Sequence, residues 1–186
     1  MLKPQRPSFL ATALAICALV CASTTMAAST TESPTTQIEA DALRYNEKEK
    51  LSVFTGSVKL VRGELTILGA QIDLKEFDDG RQQGVATGKP AQFERDQQSS
   101  NGSGVTEKVR GFARKITYDS ANDTLLLEGD AKLQRWRDGK LSDETRGQRI
   151  NYIDTTGVFT VDGGSASSPS KRVTATIGPK PAQTAP

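Results

Sequence analysis

The chain has 186 residues, with 24 basic and 22 acidic side chains, two cysteines, one tryptophan and no histidine. Without an imidazole there is no Ser-His-Asp triad, no histidine metal site and no neutral-pH proton shuttle. The nearly balanced charge gives no basic excess with which to hold nucleic acid.

Lys3 and Arg6 precede an apolar run over residues 9–22, and the small residues Ala27 and Ala28 follow it. That order of features marks a secretory signal peptide over residues 1–27. The run is short of the roughly 20 residues that a membrane-spanning helix needs. Cys17 and Cys21 both lie in it, preceded by Ile16 and Val20 where a lipidation site takes a small residue. Cleavage removes both thiols and the two leader bases, leaving 22 basic and 22 acidic residues. The mature chain then reads as a flexible segment over 28–36, one domain over 37–177 and a disordered tail over 178–186.

A short pattern recurs four times: a small residue, two variable positions, an aliphatic, a polar residue and a large apolar one. It occupies residues 40–45, 69–74, 113–118 and 147–152. Each copy is followed by a turn and then by a run that reaches Gly56, Gly88, Gly129 or Gly163. The unit is therefore strand, turn, strand. Period-2 alternation supports this, with Phe54, Gly56, Val58 and Leu60 on one side and Thr55, Ser57 and Lys59 on the other. Asn46, Asp78-Asp79-Gly80, Asn122-Asp123, Asp138-Gly139 and Thr156-Gly157 supply the turns. A Gly-Ser insertion at 99–104 and an Arg- and Asp-rich stretch at 135–146, which contains Trp136, read as long loops, and the bases Arg135, Arg137, Lys140, Arg146 and Arg149, interleaved with Asp138, Asp143 and Glu144, as a solvated face. Each recurrent glycine reads as a bulge, and the four together as a line along which the sheet folds over on itself.

By the same alternation the inward side carries Ile38, Phe54, Val58 and Leu60 early in the chain, then Leu68, Ile72, Leu74 and Phe93. Ile116, Tyr118, Leu127 and Leu133 follow, and Ile150, Tyr152, Phe159 and Val161 complete the set.

The segments Ile38-Glu39-Ala40-Asp41, Val53-Phe54-Thr55-Gly56-Ser57-Val58, Gly88-Lys89-Pro90-Ala91-Gln92-Phe93 and Lys171-Arg172-Val173-Thr174 occur in an order that resembles the periplasmic LptA/OstA-like family. The resemblance implies an all-β fold, a twisted, V-shaped two-sheet β-jelly roll built from strand-turn-strand units. It implies a non-enzymatic lipopolysaccharide-binding protein of the Gram-negative periplasm whose interior holds lipid A acyl chains. It also implies a head-to-tail homo-oligomer joining an LptC-like inner-membrane component to an LptD-like outer-membrane component. The lipid-binding residues expected on this footing are Ile38, Phe54, Val58, Phe93, Ile116, Tyr118 and Leu127, of which Ile38, Phe93 and Tyr118 match lining positions of the family. No cofactor, metal or catalytic residue is expected.

Two short terminal strands, over 35–41 and 172–177, would leave unlike edges open to strand addition. Three alternatives stand beside this reading. A glycan-binding or glycan-cleaving β protein would use Trp136 and the pairs Asp78-Asp79 or Asp143-Glu144. An LptC-like member of the same fold would keep its leader as an anchor. An outer-membrane barrel would need longer strands with aromatic girdles.

Overall fold

In the computed structural model the described residues are 34–98, 106–164 and 172–179. The expected leader, the Gly-Ser insertion and most of the tail lie outside them. Every regular element among the described residues is a strand, as alternating side chains between Asp, Asn and Gly turns require. In chain order these are β1 (Thr36–Glu39), β2 (Ala42–Asn46), β3 (Leu51–Arg62), β4 (Leu65–Glu76), β5 (Gln82–Gln98), β6 (Thr106–Asp119), β7 (Thr124–Arg137), β8 (Lys140–Ile153), β9 (Val158–Asp162) and β10 (Thr174–Ile177). They form one antiparallel sheet in the order β1-β3-β4-β5-β6-β7-β8-β10, with β2 also on β3 and β9 also on β8.

The long strands break register midway, at Thr55/Val58, Leu68/Gln71, Thr87/Ala91, Phe112/Lys115 and Glu128/Ala131. These breaks cross the sheet in a line, so each long strand gives one half to each of two layers. The two layers of the jelly roll are thus halves of one continuous, unclosed sheet. One layer ends on β2 and β9, the other on β1 and β10. Gly56, Gly88 and Gly129 lie on the line, as the fold-over reading requires, while Gly163 follows β9. At Gly56-Ser57 the φ angles are 81° and 45°, and at Gly129-Asp130 they are 83° and 54°. Only glycine enters such a bend without a Cβ penalty.

The two bends keep the inward side in step, so Phe54 and Val58 face the same way, as do Leu127 and Ala131. In β4 the break instead inverts the alternation. Leu65 and Ile67 turn inward before it and Ile72 after it, which leaves Leu68 facing outward and 39% exposed. The inward assignment of Leu68 is therefore corrected. A second correction concerns residues 135–146, which are not a loop. They are the ends of β7 and β8 joined at Asp138-Gly139, with φ of 49° and 72° as a two-residue hairpin of type I′ demands. Along the β7 part, charged side chains keep the period of 2 while hiding it from a hydrophobicity reading, whereas β8 shifts register opposite Arg135-Trp136.

Candidate functional site

The faces that meet between the layers form a single apolar interior. Of the expected lipid-binding residues, Val58, Phe93, Ile116, Tyr118 and Leu127 are sealed in it. Ile38 and Phe54 pack against its end and are half-buried. Leu65, Ile67, Val109 and Leu125 are equally sealed and escaped the alternation reading. They sit in strands whose bend inverts the pattern, or next to polar runs.

Both ends of the interior are open and apolar. At one, Leu43 pairs opposite Phe54 and Tyr45 opposite Ser52, and residues directly opposite share a face. Leu43 and Tyr45 therefore continue the inward surface, yet they are 59% and 60% exposed, because β2 is an edge with nothing beyond it. At the other end a cavity of about 560 Å³ opens between β7, β8, β9 and β10. Leu133, Phe159, Val161, Val173, Ala175 and Ile177 give it an apolar lining, and Ile177 is 81% exposed. Of these two ends the sequence reading named Ile38, Phe54, Leu133, Phe159 and Val161. The alternation of Leu43 with Tyr45, and of Val173, Ala175 and Ile177, carried the signal for the rest.

The long side opposite the bend is edged by cations. Arg62, Arg95 and Arg135 each stand two residues beyond a buried core residue, Leu60, Phe93 and Leu133, and so point inward. Arg62 Nη1 donates to Thr36 Oγ1 at 3.1 Å in its own layer and to Gln82 Oε1 at 3.4 Å in the other. Arg95 Nη1 lies 2.8 Å from Asp154 Oδ2, a nearly buried carboxylate of the opposite layer. Arg135 Nη2 donates to the Gly157 carbonyl at 2.7 Å and its guanidinium sits 5.2 Å from the Phe159 ring centroid. Arg137 lies next along β7 and holds Glu107 at 3.1 Å. The solvated-face reading of residues 135–149 thus holds for Arg146 and Arg149, which bind Glu144 and Glu128 on the outer face. It fails for Arg135 and Arg137, because strand parity aims them at the interior's rim.

Burial raises the Asp154 carboxyl against the pull of Arg95, and the charges of Asp123 and Glu64 add to the rise. Burial also pushes the Tyr118 phenol up to about 12, helped by its 2.8 Å hydrogen bond to Asp123 Oδ1.

The residues of the glycan reading do not converge. Asp143 and Glu144 are neighbours on β8 and point to opposite faces, Glu144 accepting from Gln134 on the outside. Asp78 and Asp79 occupy a turn, where Lys50 and Arg81 bind them. Trp136 lies in β7, half-buried, with the Arg110 guanidinium 5.2 Å from its ring centroid, so it offers no open stacking platform.

Comparison with known proteins agrees with this architecture. The family described as LptA/(LptD N-terminal domain) LPS transport protein matches residues 37–158, about two thirds of the chain. Among solved structures, LptH of Pseudomonas aeruginosa, the LptA-homologous periplasmic component of the lipopolysaccharide transport device, superposes with a TM-score of 0.66. The two are 21% identical, and the alignment covers 78% of this chain and 96% of that one. The search of curated proteins gave no match.

Proposed function

The chain belongs to the LptA/(LptD N-terminal domain) family of LPS transport proteins, and on that footing we propose that it works as a non-enzymatic segment of the periplasmic bridge that carries lipopolysaccharide from the inner to the outer membrane. One observation carries the reading most directly: the apolar surface between the layers runs on past the core to two exposed ends. An acyl chain crossing an aqueous compartment needs such a lining, since each methylene kept out of water is worth about 0.8 kcal/mol.

Ile38 and Phe54 meet the acyl chains at the first end. Val58, Phe93, Ile116, Tyr118 and Leu127 form the bed that the chains reach farther in. The two ends are unlike, β1 and β2 at one and β9 and β10 at the other, so a copy pairs head to tail with the next and the array propagates. Its terminal copies engage an LptC-like component at the inner membrane and an LptD-like component at the outer. Secretion by the leader over 1–27 puts the domain over 37–177 in the periplasm, and β1, which starts at Thr36, extends that domain by one residue at its front.

The direct experiment is to purify the mature protein from the Gram-negative cells that make it and to analyse its organic extract by mass spectrometry. Lipid A in amounts comparable to protein is the expected result. Protein free of lipid A, from cells whose envelope is rich in it, would count against the carrier reading.

A further inference from the structure

The sealed interior poses a physical problem for any amphiphilic cargo. Ile116, Leu125, Leu127, Ile150 and Tyr152 have essentially no exposed surface, and the cavity at the β10 end stops short of them. A close-packed interior has no spare room for an acyl chain. The layers must therefore separate along their open side before a chain can lie between them, and that side is crossed by arginines.

Three features of the row point to a device rather than to scattered surface pairs. The guanidiniums of Arg62, Arg95 and Arg135 come from alternate strands β3, β5 and β7 of one layer, each two residues beyond a core residue. Each reaches an acceptor on the opposite layer: Gln82, Asp154 or the Gly157 carbonyl. Two of those acceptors are neutral, and the third pairing is incomplete. Arg95 Nε and Asp154 Oδ1 are buried with no partner among the described residues. A phosphate would offer Arg62 and Arg135 a charged, bidentate acceptor in place of a neutral one, and would give Arg95 Nε the partner that Asp154 does not supply.

We propose that Arg62, Arg95 and Arg135 form a lengthwise latch that holds the two layers shut over the apolar interior, and that an anionic amphiphile opens it. Its phosphate takes the guanidiniums one after another, roughly 10 Å apart on alternate strands, from Gln82, Asp154 and the Gly157 carbonyl, and its chain enters between the parted layers. The inference rests on the reading that the interior accepts acyl chains, and it adds what admits them.

The test compares octyl phosphate with octyl glucoside, both below their micelle thresholds, on the mature protein, read by calorimetric binding and by amide hydrogen exchange of β5 and β7. Octyl phosphate should bind about tenfold tighter, the scale of one charge-assisted hydrogen bond gained, and should speed exchange in both strands. In Arg62→Gln/Arg95→Gln/Arg135→Gln the preference should vanish, and octyl glucoside should bind better than it does to the native chain. Asp154→Asn, which weakens the latch while keeping every arginine, should likewise admit octyl glucoside more readily and keep the preference for phosphate. Far-UV circular dichroism establishes that each variant is folded. Equal affinity for the two amphiphiles in the native chain would overturn the latch and leave the lipid interior standing. The same preference surviving in the triple variant would also overturn it. Binding of neither amphiphile to any folded variant would overturn both the latch and the acyl-chain reading.

Discussion

Phe93 of one layer and Tyr152 of the other meet with ring centroids 5.7 Å apart and planes inclined at 32°. Both rings are fully buried, and the pair fixes the spacing of the layers at the middle of the interior. Replacing Phe93 with Ala removes a ring whose space cannot refill, because the residues around it belong to hydrogen-bonded strands. The cost should be about 3–5 kcal/mol, read as a lower urea midpoint at unchanged slope.

Gly111 makes that contact possible. It sits opposite Phe93 on β6, and a Cβ there would run into the Phe93 ring and come within 2.9 Å of Leu127 Cδ2 from the opposite layer. Gly111→Ala should destabilise the fold by about 1–3 kcal/mol through overpacking. The double variant Gly111→Ala/Phe93→Leu should recover part of that loss in the same urea titration, since the smaller side chain yields the space.

Tyr118 supplies a dependence on alkaline pH. Its folded value of about 12 lies above the ordinary value of 10.0, so folding favours the neutral phenol. The stability it contributes is complete below the unfolded value and is lost as the pH climbs through the folded one. Ultraviolet titration of the native chain minus that of Tyr118→Phe should give one phenol with a midpoint near 12. A midpoint near 10 would mean that the ring is not held as the structure has it.

How far the sequence reveals this architecture depends on how each strand crosses the bend. In β3 and β7 two consecutive residues of positive φ, Gly56-Ser57 and Gly129-Asp130, keep the alternation in step. There, reading every second residue found Phe54, Val58, Leu60, Leu127 and Leu133 correctly. In β4 the break swaps the faces, so the same rule put Leu68 inside and missed Leu65 and Ile67. The charged ends of β7 and β8 escaped for another reason. Arg135 and Arg137 continue the inward side of β7 without being apolar, so a search for hydrophobic periodicity stops at Leu133. The rim on which the latch is built was therefore invisible until the parity of each strand was known.

The unlike ends lead to a mixing experiment. Tyr45→Asp places a charge at the β2 end and Ile177→Asp at the β10 end, both at exposed positions where folding should be little affected. Each variant alone keeps one sound end and should remain monomeric where the native chain forms larger species by light scattering. Mixed, they should pair once, sound end to sound end, and stop at dimers. Extended assembly by either single variant would rule out head-to-tail joining through these strands.

Photo-crosslinking to lipopolysaccharide in cells gives the most direct test of an apolar conduit between the layers. A photoreactive side chain at Phe54 or Ile177, one at each open end, should capture lipopolysaccharide, and one at Leu68 or Leu141, both on the outer face of the sheet, should not. Capture from Leu68 and Leu141 as strong as from Phe54 and Ile177 would contradict the conduit, and so would the absence of capture from both ends.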